Sequence, residues 1–147
     1  MNVGSRAMPR SLSHAVVLTD DLDATLRFLT DVGGVTPLSP VTAGAPEDYA
    51  LVFGWPIEQA ATRSAFVGEG AGMLEVVEIP EPLRGKVAPG VRLLAIANRD
   101  VATAADVASA AGFEVRGPLT VASAEERGAK IVEVVAGGVP FELIQFG

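Results

Sequence analysis

The sequence predicts an α+β protein assembled from two βαβββ modules, and three observations carry that expectation. Its 147 residues amount to one domain, or to two very small halves fused. Strand-like and helix-like segments run in the same order twice. Between the two runs lies Pro80–Gly90 (PEPLRGKVAPG), whose three prolines and two glycines in eleven residues mark a linker. The expected division is a flexible lead-in over 1–10, module one over 11–80, a linker over 81–90 and module two over 91–147.

Module one opens with Ser11–Thr19 (SLSHAVVLT), short, apolar and β-branched, hence a strand. Asp20 and Asp21 follow and suit the cap of a helix, because a carboxylate accepts from the free N–H groups of its first turn. Leu22, Leu26, Leu29 and Val32 recur at helical spacing over Leu22–Val32, and Gly33-Gly34 ends the helix. Val35–Val41 reads as a short strand broken by prolines. Thr42–Ala61 is long and irregular, with one or two helical turns within Glu47–Phe53. Arg63–Val67 and Met73–Ile79 read as strands joined through Gly68–Gly70.

The pattern restarts in module two. Val91–Ala97 is a strand, Asp100 a cap, Val101–Ala111 an Ala-rich helix stopped by Gly112, and Glu114–Val121 a strand. Ala122–Arg127 reads as a polar loop. Lys130–Ala136 and Pro140–Phe146 form a hairpin turned at Gly137-Gly138, a pair suited to positive φ. Shifting by 79 lays Asp21 on Asp100, Leu22 on Val101 and Gly33 on Gly112; near the module ends the shift becomes 67 and lays residues 73–78 on 140–145. Each unit is too small to close a core alone, so the two are expected to share one compact structure.

Composition narrows the function. Cysteine is absent, which removes disulfides, thiolate metal sites and cysteine nucleophiles. His14 is the one histidine. Acidic residues outnumber basic ones 18 to 11, for a net charge of −7, which argues against nucleic acid and anionic membranes as partners. Mean hydropathy is +0.38, yet no apolar run approaches the roughly 20 residues of a membrane span. Met1–Arg10 lacks the apolar core of a signal peptide, and Met8 offers an alternative start. A soluble cytoplasmic protein is expected.

With SLSHAVVLTDDLDATLRFLTDVGG opening module one, ANRDVATAADVASAAGFEVRGP in module two and the closing PFELIQF, the chain resembles the vicinal oxygen chelate (glyoxalase/bleomycin resistance protein/dioxygenase) superfamily. The resemblance covers essentially all of Ser11–Phe146. It implies strands that curve into a mixed sheet around a cleft, and homodimers, some with modules exchanged. In metal-using members similar to glyoxalase I, the first and last strands of each module supply ligands in the order His, Glu, His, Glu. On this chain those positions hold His14, Glu75, Leu93 and Glu142.

Strand alternation supports a special role for three of them. His14 shares a face with Leu12, Val16 and Leu18; Glu75 with Met73, Val77 and Ile79; Glu142 with Pro140, Ile144 and Phe146. A lone buried carboxylate is costly unless paired, protonated or metal-bound. One imidazole with two carboxylates suits a single divalent ion, whether Zn, Ni, Mn, Fe or Mg, which would polarise a carbonyl as a Lewis acid. Glu75 or Glu142 would then move a proton α to that carbonyl. The bland alternatives are a satisfied core histidine, a solvated Glu75, and a Glu142 paired with an arginine.

Leu93 removes the second imidazole and with it the two-histidine facial triad of extradiol dioxygenases. Tyr49, Phe53 and Trp55 on the long loop either line a small-molecule pocket, together with Leu93, or a dimer interface, or form a local hydrophobic plug. Arg84 and Lys86 read as solvated linker charges or as contacts for an anionic substrate. Two functions follow. One is a lyase, isomerase or epimerase acting on a small molecule at a reduced divalent-metal site. The other is a metal-free drug- or metabolite-binding protein of resistance type that uses the inter-module groove. A metal-free enzyme with Glu75 or Glu142 as sole base is a third.

Overall fold

The computed structural model describes residues 12–69, 72–121 and 128–146. The lead-in expected over 1–10, Ser11, the Gly70 end of the first strand connection and the polar loop expected over Ala122–Arg127 lie outside the described residues. Two compact units divide the chain: His14–Arg92, taken here as module one, and the unit built on Leu93–Gly147, taken as module two.

Module one runs β1 (Leu12–Thr19), α1 (Leu22–Arg27), β2 (Thr42–Ala43), α2 (Pro46–Phe53), β3 (Arg63–Val67) and β4 (Leu74–Glu78). Its strands lie in the order β2-β3-β4-β1, with β1 parallel to β4 and the other two pairings antiparallel. A parallel pair requires a crossover, and α1 lies within it. The Asp21 carboxylate accepts from the Ala24 N–H at 3.0 Å and caps the helix as expected. Leu22 is buried with Val67 and Val76, and Leu26, Leu29, Val35 and Leu74 pack around them.

The helix expected to run evenly to Val32 instead widens into a π-turn over Phe28–Val32, closed by Gly33 N–H donating to the Phe28 carbonyl at 2.9 Å. Gly33 permits this, because a Cβ there would stand 2.9 Å from the Leu29 carbonyl oxygen. Gly34 supplies the positive φ.

The second strand falls not at Val35–Val41 but at Thr42–Ala43. Pro37 and Pro40 have no N–H to give a ladder, so residues 35–41 follow β3 only through an isolated bridge, Pro37 to Val67, and single bonds such as Leu38 N–H to Phe66 O at 3.0 Å. The region expected to be irregular holds α2, with Pro46 in its first turn where a missing N–H costs nothing, and a 3₁₀ turn at Ile57–Gln59. The linker also carries structure: a 3₁₀ turn at Glu81–Leu83 buries Leu83, and Arg84 Nε donates to the Ile79 carbonyl at 3.2 Å.

Module two runs β5 (Gly90–Ala97), α3 (Val101–Ala110), β6 (Glu114–Thr120), β7 (Lys130–Ala136) and β8 (Val139–Gln145). The order is β5-β8-β7-β6, again with the first and last strands of the module parallel. Gly137 and Gly138 turn the β7–β8 hairpin at φ 60° and 78°, the left-handed pair the sequence anticipates. Asp100 caps α3 through the Thr103 N–H at 3.0 Å. Val101 and Ala105 are buried with Val132, and Val115, Val134 and Leu143 pack against them.

The repeat extends to the helix anchors. Leu22 N–H donates to Glu78 Oε2 at 3.0 Å, and Val101 N–H donates to Gln145 Oε1 at 3.0 Å. Each module thus ties the first turn of its helix to the end of its last strand. Among the described residues no helix is long and apolar enough to cross a membrane.

Candidate active-site faces

In each module the helix covers one face of the sheet, and the sequence-nominated residues lie on the other. Paired residues in register share a face. In module one Glu75 pairs with Val16 on β1 and with Phe66 on β3, and His14 stands two residues before Val16. These four therefore point to the same side, away from the Leu22 core.

His14 is 1% exposed, and its Nε2 lies 3.7 Å from Glu75 Oε1, within ion-pair range but beyond a hydrogen bond. The Glu75 side chain keeps 19% exposure, so the carboxylate remains reachable. The Phe66 ring meets the imidazole edge-on, with centroids 5.3 Å apart. The imidazole thus meets an aromatic ring and faces a carboxylate.

In module two the register-equivalent position is Glu142, paired with Ala95 on β5 and with Glu133 on β7. Leu93, buried, precedes Ala95 by two residues, as His14 precedes Val16. Glu133 pairs in turn with Arg116 on β6, so Arg116, Glu133 and Glu142 form a row across three strands. Glu133 is 5% exposed and Glu142 7%. Directly opposed like charges destabilise a strand pair, and Arg116 Nη1, 3.1 Å from Glu133 Oε1, offsets this.

Sequence reasoning missed Glu133 and Arg116. The signal for Glu133 was available: in KIVEVVA it is a lone carboxylate among apolar residues, the same pattern that singled out Glu142. Arg116 pairs with Glu133, which stands opposite Glu142.

Tyr49, Phe53 and Trp55 come together as a buried cluster. Tyr49 stacks on Phe53 at 5.8 Å and on Trp55 at 6.4 Å, Phe53 meets Trp55 at 4.8 Å, and Arg92 lies over the Phe53 ring at 5.7 Å. Tyr49 Oη donates to Ser64 Oγ at 3.0 Å, which anchors the cluster to β3 on the face that carries Glu75. Gly44 makes room for it, since any Cβ there would overlap the Tyr49 ring.

For a metal, His14 and Glu75 offer two donors. Among the described residues no group of three His, Asp or Glu side chains gathers to hold an ion. An imidazole and a carboxylate can form part of a divalent site whose other positions water fills, and the carboxylates by themselves supply acid–base groups.

Comparison with known proteins gives the fold its relatives. The chain matches a protein from Bacillus halodurans at TM-score 0.71 and 17% identity, covering 94% of this chain and 95% of that one. It matches a Streptomyces coelicolor methylmalonyl-CoA epimerase variant in complex with 2-nitronate-propionyl-CoA at TM-score 0.70 and 20% identity, over 95% and 96% of the two chains. The Mycobacterium tuberculosis methylmalonyl-CoA epimerase follows at 0.68 and 18%, over 92% and 87%. No curated protein matches significantly. The family model described as Glyoxalase/Bleomycin resistance protein/Dioxygenase superfamily matches residues 11–129. The chain belongs to that superfamily.

Proposed function

We propose that this chain is a proton-transfer enzyme of epimerase or isomerase type. Its substrate is a small molecule with an acidic hydrogen beside a carbonyl, and Glu75 and Glu142 move the proton. The observation that carries the reading is the repeat itself: both modules place a glutamate at one register position of the last strand, on the helix-free face. Inverting a carbon centre takes two groups, one to remove the proton and one to return it from the opposite side, and a pair of carboxylates supplies them. His14 holds Glu75 in place, and Glu133 with Arg116 flanks Glu142. The aromatic cluster of Tyr49, Phe53 and Trp55 walls the module-one face, and Leu93 contributes apolar surface on the module-two face. The similarity to methylmalonyl-CoA epimerases makes acyl thioesters the first class to test. A cytoplasmic homodimer completes the reading, with its subunit count given by sedimentation.

The experiment is deuterium incorporation from D₂O at the α-carbon of methylmalonyl-CoA and of related α-substituted thioesters, followed by NMR. The wild-type chain exchanges the proton, and Glu75→Gln and Glu142→Gln each slow the exchange by about 10²-fold or more, the usual contribution of a positioned acid or base. Unchanged exchange in both variants, with their thermal midpoints intact, sinks the assignment.

A cation held by His14, Glu75 and Glu142 is the competing version, favoured by the imidazole facing the Glu75 carboxylate. Elemental analysis of protein purified without chelators decides it: stoichiometric metal establishes the ion, and negligible metal with full exchange activity removes it. Leu93, apolar where the family pattern has a second histidine, favours a binding protein instead. Saturable ligand binding with no exchange on any thioester would replace the enzyme reading by that one.

A further inference from the structure

On the helix side of its sheet, opposite Glu133 and Glu142, module two holds an open, apolar-lined cavity of about 640 Å³. Ala104, Val107 and Ala108 of α3 form one wall, and Val134, Phe141 and Leu143 of the sheet form the other. Its size lies within the usual range for small-molecule pockets, roughly 300–1,000 Å³. The repeat explains why it is there. In module one Leu26 and Leu29 of the helical segment fill the corresponding space against Leu22, Val67 and Val76. A shift of 79 replaces them with Ala105, buried beneath the helix, and Ala108, which leaves its flank of α3 short of the sheet and lines the cavity. Val107 is 65% exposed and Phe113 46%, so the space stands open to solvent, and an apolar ligand laid in it would take that surface out of water.

One charge of each sign lines the cavity, Arg99 and Asp100. Arg99 lines it and, among the described residues, makes no ion pair. The neighbouring Asp100, which also lines it, is committed to the helix cap: its carboxylate accepts from the Thr103 N–H at 3.0 Å and from Thr103 Oγ1 at 2.8 Å. An apolar interior with an uncommitted guanidinium at its rim suits an amphipathic anion.

We propose that this cavity binds a medium-chain fatty carboxylate, with the alkyl chain between α3 and the sheet and the carboxylate at Arg99. An alkyl chain of about ten carbons suits a cavity of this class. The site is separate from the proton-transfer residues, and its test does not depend on them.

The test is calorimetric titration of the whole protein with hexanoate, octanoate and decanoate. Affinity is expected to rise about fourfold per buried methylene. Ala108→Leu, which installs the module-one residue, should abolish decanoate binding and raise the thermal midpoint by about 3 °C; Ala104→Leu is the second variant should the first pack badly. Arg99→Gln should weaken decanoate about tenfold, as loss of a charge-assisted contact does, and leave decanol unchanged. Several outcomes overturn the proposal: no saturable binding at millimolar decanoate, binding that survives both leucine variants, or an Arg99→Gln effect equal for acid and alcohol. So does a change of oligomeric state in Ala108→Leu without decanoate binding to the wild type, which would make the groove an interface between copies.

Discussion

In module one Glu75 lies opposite Phe66 and beside His14; in module two Glu142 lies opposite Glu133, and Leu93 stands where the imidazole would be. The backbone register is the same, and the companions have been exchanged. Module one holds its carboxylate with an aromatic ring and an imidazole. Module two holds its own with a second carboxylate and an arginine. Each module carries one glutamate at that position, and the side chains beside it differ. A role needing two carboxylates in different surroundings accounts for this better than one that needs four equivalent ligands.

The largest expected effect tests that contrast directly. If both glutamates act, Glu75→Gln and Glu142→Gln each cost about 10²-fold in α-proton exchange. A loss confined to one variant would mean that only one module carries the chemistry, and that the other glutamate is a remnant of the repeat.

The next effect concerns stability. Arg116 is 41% exposed while Glu133 is 5% exposed, so the pair has one foot in solvent and one in the core. Arg116→Ala removes the counter-charge from a buried carboxylate, and a loss of about 2 kcal/mol is expected in chemical denaturation. Adding Glu133→Phe gives module two the Phe66 arrangement and should recover at least half of that loss. A neutral Arg116→Ala would show that the row across β6, β7 and β8 is not held by this ion pair.

The repeat was legible in the sequence because its markers are local. Asp21 and Asp100 are caps, Gly33 and Gly112 are stops, and the alternation around Glu75 and Glu142 fixes a face without any knowledge of neighbours. What was not legible depends on which strand lies beside which. The Arg116–Glu133–Glu142 row exists only through the β6–β7–β8 register. Val35–Val41 has the composition of a strand, yet two prolines deny it a ladder, and Thr42–Ala43 pairs instead. The π-turn after Arg27 is invisible in the spacing of Leu22, Leu26, Leu29 and Val32, because that apolar stripe fits either winding. The cavity behind α3 was visible only as an Ala-rich helix until the structure showed which leucines those alanines replace.

The smallest expected effect separates the two helix anchors. Glu78 and Gln145 receive the first-turn N–H of their helices in the same geometry, but only Glu78 titrates. The Arg63 guanidinium bonded to Glu78 holds its carboxyl below the ordinary value, helped by the Leu22 N–H and against the opposing effect of burial. Because the native pKa is below the unfolded one, the unfolded chain binds this proton more tightly. The contribution of Glu78 is therefore complete above the ordinary carboxylate pKa and is lost as pH falls through the lowered native value. Amide exchange should show Leu22 losing protection on acidification before Val101 does. Glu78→Gln, which copies Gln145, should remove that difference and cost roughly 0.5–1 kcal/mol at neutral pH, since Arg63 is half exposed and a surface pair contributes little. Val101 opening first would place the acid-sensitive anchor in module two and contradict the ion pair as its cause.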